Sequence, residues 1–151
     1  MREKLRIFYL VLFLSTFLMI FQQCHSIRRN SIVENSGSSN RIAIAAVSDS
    51  VTSEISKVAG RAPYYLIFDG NGVFLKSLKN PFQNQRGGAS SGVLDILIKE
   101  SVQTVVAGKF GDKMTQQLDT NKIEYQKHAG IAKDIVVTII KNKTEKKNVQ
   151  K

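Results

Sequence analysis

The chain has few of the side chains that carry most protein chemistry. Cys24 is its single cysteine, and of its two histidines only His128 lies outside the first 40 residues. Cleavage after Ser26 would remove Cys24, leaving a domain with no disulfide, no thiol nucleophile and no thiolate metal ligand. A metal ion or cluster would then depend on His128, carboxylates or backbone groups.

The sequence also lacks the common catalytic patterns. It contains no Ser-His-Asp order, no Walker loop and no His-Glu-x-x-His stretch. A two-metal nuclease needs several carboxylates on its central strands. The first predicted strand has none, and Asp49 and Asp69 lie outside strand centres without a third partner. The sequence therefore predicts a protein that is not an enzyme.

The basic charge is concentrated at the two ends of the chain. The formal net charge is +10, but residues 41–140 hold 12 Lys or Arg and 9 Asp or Glu, a net charge of only +3. Basic termini of this kind are typical of solvated tails and targeting segments. We therefore expect no nucleic-acid partner.

Residues 1–26 are typical of a targeting segment. Three basic residues precede the 15-residue apolar run 7–21, which is shorter than the ~20 residues of a spanning helix. A signal peptide cleaved after Ser26, an uncleaved signal anchor and a lipoprotein modified at Cys24 all remain open. Each alternative predicts an extracytoplasmic domain, either free or attached to the membrane through residues 7–21.

The remaining chain divides into a linker, one domain and a tail. Residues 27–40 are rich in Ser, Asn and Gly and predict a flexible linker. Residues 41–140 have the length of one ordinary domain. The lysine-rich tail 141–151 is expected to be disordered or frayed.

Strand and helix patterns alternate through the domain. Strands are predicted at 42–47, 64–69, 73–78, 104–107 and 123–126, and helices at 93–101, around Met114 and Leu118, and at 131–140. The Asp69-Gly70-Asn71-Gly72 sequence predicts a tight turn between the second and third strands. The expected fold is one three-layer α/β domain whose mixed sheet has one antiparallel hairpin strand.

Three groups of glycine-bearing loops follow the apolar runs. Because such loops gather at one edge of an α/β sheet, we expect them to form a binding pocket there. The candidate ligand-binding residues are Ser48, Asp49, Arg61, Arg86, Gly87, Gly88, Gly108 and Gly111.

Each candidate also has a purely structural interpretation. The amides of residues 87–91 could cradle an anion at a helix start, or the glycines could simply allow a tight turn with Ser90 or Ser91 as the helix cap. Arg61 and Arg86 could face an anion or solvent, and Gly108 and Gly111 could serve the turn alone. His128 is the candidate metal ligand, or an ordinary surface histidine.

Several segments together resemble the dinitrogenase iron–molybdenum cofactor biosynthesis domain. They are the first strand 41–45, Gly-Arg-Ala-Pro-Tyr-Tyr at 60–65, Asn80-Pro81 before Gly87-Gly88-Ala89, and Val105–Gly111 with Leu118. The resemblance covers residues 41–140. It implies a ribonuclease-H-like α/β architecture and, from nitrogenase-related members, a protein that carries iron–sulfur or iron–molybdenum clusters.

One position departs from the family pattern. Cofactor-handling members have His-Phe-Gly before the Gly-Arg-Ala-Pro segment, whereas this chain has Val58-Ala59-Gly60, and valine cannot ligate a metal. Two hypotheses follow. One is a non-catalytic binding protein for a small anion or metal cluster. The other is an envelope-associated module that binds a partner protein and has no small-molecule ligand.

Overall fold

The computed structural model describes residues 40–149, so the predicted targeting segment 1–26 and the linker up to residue 39 lie outside the described part. Five strands and three helices alternate along the chain. They are β1 (Arg41–Ala46), β2 (Tyr64–Phe68), β3 (Phe74–Lys79), α1 (Ala89–Lys99), β4 (Val102–Ala107), α2 (Asp112–Thr120), β5 (Glu124–Lys127) and α3 (Ala132–Val149). A short 3-10 turn at Ala59–Arg61, which we call the 59–61 turn, precedes β2.

The strands form one mixed sheet in the order β3-β2-β1-β4-β5. β1 pairs in parallel with β4, and β4 with β5, whereas β2 is antiparallel to both β1 and β3. In the β2–β3 turn, Asp69 Oδ1 accepts hydrogen bonds from the amides of Asn71 and Val73, and Gly72 has a φ of +85°. The predicted mixed sheet with one antiparallel hairpin strand is therefore confirmed.

Helices cover both faces of the sheet because the central strands are apolar on both faces. α1 and α2 pack on one face, and α3 packs on the other. Residues 42–46 of β1 have no exposed surface. This is the burial on both faces that the unbroken apolar run of the first strand predicts.

The topology puts most connecting loops on one side of the sheet. β1, β4 and β5 end on the same side of the sheet, where β2 begins and β3 ends. We call this side, which is formed by the ends of the strands, the carboxyl edge. The loops 47–58, 80–88, 108–111 and 128–131 and the 59–61 turn all lie there. The opposite amino edge carries Asn40, the β2–β3 turn and the starts of β4 and β5.

The last helix differs from its prediction. The sequence predicts a helix over 131–140 followed by a disordered or frayed tail, but α3 continues to Val149. Lysine and glutamate are good helix formers, and the added turns also contact the sheet. Lys143 Nζ lies 3.0 Å from Thr104 Oγ1 and 3.8 Å from Glu124 Oε2. Within residues 40–149, none of the helices combines the length and apolar character needed to cross a bilayer.

A buried tyrosine ties the 59–61 turn to the sheet. Tyr65 is 1 % exposed, and its hydroxyl donates a hydrogen bond of 2.5 Å to the carbonyl oxygen of Ala59. Burial raises the pKa of Tyr65, so the phenol stays neutral and remains a donor. The contact fixes the position of the turn that carries Arg61.

Removing this hydroxyl tests its contribution to stability. We expect Tyr65→Phe to lower the free energy of unfolding by about 1 kcal/mol, because a buried hydrogen bond is lost while the ring remains. Chemical denaturation measures the change. Tyr125→Phe is the matched control, since the Tyr125 hydroxyl makes no hydrogen bond within residues 40–149. Equal losses in both variants would contradict a specific role for Tyr65.

Candidate functional site

The carboxyl edge contains a small cleft between the 59–61 turn and the first turns of α1 and α2. Its volume is about 280 Å³, close to the lower end of ordinary ligand sites. We call it the glycine cleft. Its lining residues are Val58, Gly60, Arg61, Arg86, Gly87, Gly88, Ala89, Ser90, Gly111, Lys113 and Met114.

Arg61 holds two of the cleft's loops together. Its Nη1 donates a hydrogen bond of 2.9 Å to the carbonyl oxygen of Gln83 and another to that of Gln85. The guanidinium therefore bridges from the 59–61 turn to the 80–88 loop while keeping its charge at the cleft. Arg61 both shapes the site and contributes to its potential.

Asn80 joins the same two loops from inside the protein. It is 1 % exposed, and its Nδ2 donates to the carbonyl oxygen of Ala62 at 2.8 Å. Its Oδ1 accepts from the Phe82 amide at 2.9 Å, and its own amide donates to Pro63 at 2.8 Å. One buried residue thus fixes where the 80–88 loop leaves β3 and how it meets the turn before β2.

Both helices that reach the cleft begin at a glycine. Gly88 is the N-cap of α1 with a φ of +72°, and Gly111 is the N-cap of α2. Neither start has a side-chain cap, so the alternative interpretation in which Ser90 or Ser91 caps the helix is wrong: both lie in the first turn of α1. The side chains at these N-caps therefore do not occupy the amide donors of the first turns, which carry the positive end of each helix dipole.

The charges that line the cleft have one sign, although Asp112 lies next to it in the first turn of α2. Arg61, Arg86 and Lys113 line it, and no aspartate or glutamate does. Arg86 and Lys113 form no ion pair within residues 40–149. Cations beside two helix starts create a positive potential that favours an anion.

The cleft does not have the side chains that usually hold a metal. Within the described part of the chain, no three His, Cys, Asp or Glu residues come close enough to bind one ion. Met114 is the only sulfur-bearing residue in the lining, and it is 1 % exposed. The chemistry available is hydrogen bonding and charge, which suits the outer atoms of an anion better than direct ligation of its metal.

The structure brings together five of the nine residues that the sequence nominates. Arg61, Arg86, Gly87, Gly88 and Gly111 line the glycine cleft. Arg61 comes from the 59–61 turn, Arg86, Gly87 and Gly88 come from the 80–88 loop, and Gly111 comes from the 108–111 loop, so all three parts of the chain contribute to the cleft.

Gly108 lies outside the cleft because it is packed against the chain after β1. Its amide donates to the carbonyl oxygen of Ser56 at 2.9 Å, and a Cβ atom there would lie 2.9 Å from the carbonyl oxygen of Lys57. The glycine permits close approach of two backbone segments, and its N–H already has a partner.

The remaining three nominated residues are also outside the lining. Ser48 and Asp49 belong to the turn after β1, where the Ser48 amide donates to Ser53 Oγ at 2.9 Å and Asp49 is exposed. His128 follows β5. Its amide donates to Ala107, and its Nε2 lies 3.3 Å from Gln126 Oε1. These residues share the carboxyl edge with the cleft but do not line it.

Sequence reasoning missed several residues that build the site. Lys113 is the second residue of α2, two positions after Gly111, so its place at a helix start was the available signal. Val58 stands where the resembling family has histidine, and it lines the cleft. Asn80 gave no chemical signal of its own, because its role depends on loops brought together by the fold.

Comparison with known proteins identifies relatives of this domain. The family model described as dinitrogenase iron-molybdenum cofactor matches residues 40–142. The apo form of the orange protein from Desulfovibrio gigas is similar in structure, with a TM-score of 0.64 and 20% identity over 68% of this chain and 88% of that one. A candidate NifB protein from Thermotoga gives 0.57 and 19% over the same shares. No curated protein matches the chain by sequence.

A single-atom change at Asn80 tests the link between the loops. We expect Asn80→Asp to lower the free energy of unfolding by about 1–3 kcal/mol, because the donor to Ala62 is replaced by a buried carboxylate oxygen facing a carbonyl. Asn84→Asp makes the same charge change at an exposed position of the same loop. Chemical denaturation of both variants checks the prediction, and a comparable loss in the control would contradict it.

Proposed function

Since the chain belongs to the dinitrogenase iron–molybdenum cofactor family, we propose that it is a non-catalytic binding protein whose glycine cleft holds a small anion. The class includes anionic metal–sulfur clusters, which are cargo in this proposal. The observation that carries it is the convergence of Arg61, Arg86 and Lys113 with two helix starts on one cleft without a lining carboxylate.

The chain's own residues suggest how such a ligand is bound. The first-turn amides of α1 and α2 donate hydrogen bonds to its outer oxygen or sulfur atoms, and Arg86 and Lys113 supply mobile positive charge. Arg61 keeps the loops in place. Because Val58 replaces the imidazole of cofactor-handling members, the ligand's metal gains no side-chain bond at that position, and binding is electrostatic.

The fold is part of the same proposal. We assign the sheet to the ribonuclease-H-like architecture, which the resemblance implies. The strand order β3-β2-β1-β4-β5 with only β2 reversed supports this assignment. The family's cofactor and carrier proteins make a non-enzymatic role the natural one for the cleft.

Neutralising the free cations tests the proposal directly. With tetrathiomolybdate and inorganic phosphate as probes, we expect Arg86→Gln or Lys113→Gln to weaken binding about three- to tenfold, because each removes one charge-assisted contact. Lys127→Gln, an exposed lysine outside the cleft, should leave the dissociation constant unchanged. Isothermal titration at two salt concentrations measures the effect, which screening should reduce.

Two results would overturn this assignment. Equal dissociation constants for the Arg86→Gln, Lys113→Gln and Lys127→Gln variants would exclude the cleft as the anion site. Loss of bound iron or molybdenum from anaerobically purified His128→Ala protein, with the cleft variants unaffected, would move the site to His128.

Placing a histidine at position 58 is a separate test. It asks whether a side chain at that position of the cleft can bind the metal of the ligand. We expect Val58→His to increase affinity for tetrathiomolybdate but not for phosphate, because only the former offers a metal centre to an added nitrogen donor. Val47→His, an exposed valine outside the cleft lining, is the matched control. A gain for phosphate as well would show that added charge, not ligation, is responsible.

A further inference from the structure

The amino edge of the sheet, opposite the glycine cleft, has exposed apolar residues beside a basic helix end. Val73, Phe74 and Leu75 at the start of β3 are 58%, 40% and 43% exposed, and Val137 on α3 is 68% exposed. Phe74 also packs edge-on against Phe68, with ring centroids 5.6 Å apart. Several large apolar side chains exposed at one end of a sheet are a feature of surfaces that contact a partner or a membrane.

Lysines of α3 border this apolar surface. The β2–β3 turn and α3 enclose a groove of about 490 Å³ lined by Asn40, Gly70, Asn71, Ile140, Lys143, Thr144, Lys146 and Asn148. Lys141 and Lys146 are exposed and form no ion pair within residues 40–149. Val137 and Lys141 lie one helical turn apart, so apolar and basic groups are adjacent along α3.

Three acidic groups near this edge have a partner, whereas Asp119, at the end of α2, is exposed and forms no ion pair within residues 40–149. Glu100 pairs with Arg41 and with Lys76, at 3.5 and 2.7 Å. Asp69 is 8 % exposed and accepts hydrogen bonds inside the β2–β3 turn. Glu124 lies 3.8 Å from Lys143, and Glu145 is the acidic residue within the lysine-rich end of α3. The accessible charge here is therefore mainly positive.

The chain also enters the domain at this edge. Asn40 lines the groove, and the 18 residues between Phe21 and Asn40 separate it from the apolar run 7–21. A segment of that length can span at most about 60 Å. Any bilayer that takes up residues 7–21 is therefore tethered to the domain at a high effective concentration.

We propose that the amino edge is a docking surface for an anionic lipid bilayer. Val73, Phe74 and Val137 enter the interface between headgroups and acyl chains, and Lys141, one helical turn from Val137, contacts an anionic headgroup and contributes about 1 kcal/mol. This orientation directs the glycine cleft away from the membrane, where a soluble ligand can reach it.

The structure favours a bilayer over pairing with a second copy. β3 is an edge strand, but Lys76 and Lys79 and the register shift at Ile67/Phe68 are features that oppose edge-to-edge pairing. Lysines beside the apolar surface would also repel the same lysines of an identical chain. An anionic surface has the complementary charge.

The chain contains no tryptophan, so the fluorescence of a single introduced tryptophan comes only from the position where it is placed. In the full chain with phosphatidylcholine vesicles containing phosphatidylglycerol, we expect Phe74→Trp and Val137→Trp fluorescence to shift to shorter wavelength. Brominated acyl chains should quench it. Val47→Trp, at the carboxyl edge, should show neither effect. Using two reporters keeps the test valid if the Phe74 variant fails to fold.

Charge variants test whether docking depends on lysine at the amino edge or only on the net positive charge of the protein. Lys141→Gln should lower the ratio of docked to undocked protein about fivefold, as one headgroup contact is lost. Lys133→Gln, with the same charge change at the carboxyl edge, should have little effect.

Three outcomes would overturn the proposal. They are equal quenching at Val47→Trp and Phe74→Trp, absence of quenching at both amino-edge reporters, and a wavelength shift that grows with protein concentration without vesicles. The last would identify a second copy as the occupant. None of them bears on anion binding in the glycine cleft, so the two proposals fail independently.

Discussion

The buried carboxamide of Asn80 is the interaction on which the glycine cleft depends. Its two sides bond to different loops, so the 59–61 turn and the 80–88 loop cannot move independently. Tyr65 attaches the same turn to the sheet through a hydrogen bond to Ala59. Arg61 links the turn to the 80–88 loop on the solvent side through a hydrogen bond to Gln83. Each bond contributes only about 1 kcal/mol. Together they hold flexible, glycine-rich segments against a rigid sheet.

The electrostatic character of the cleft follows from this arrangement. Two helices begin at glycines beside it, and three cations line it. Val58 lines the cleft at the position where the resemblance places histidine in cofactor-handling members, so the proposed anion site has no imidazole there.

Individual elements show how far sequence patterns reach. The buried strand β1, the hairpin turn at Asp69–Gly72 and the two-faced helix packing follow from apolar periodicity and turn chemistry, which are local signals. The ends of α3 and α1 were less predictable. The sequence beyond residue 140 is polar, but contacts of Lys143 with β4 and β5 accompany the extended helix. α1 begins at a left-handed glycine, so the nearby serines have no capping role.

The sequence by itself determined the α/β class, the mixed sheet and the edge at which its glycine loops gather, because strand and helix periods are written into neighbouring residues. It could not distinguish Gly108, which accommodates a close backbone approach, from Gly111, which lines the cleft. Nor could it separate His128 from Lys113 as a site residue. Those distinctions depend on which segments, distant along the chain, come within a few ångströms of each other. Only tertiary packing fixes such distances, since each is the joint result of several strands, loops and buried hydrogen bonds.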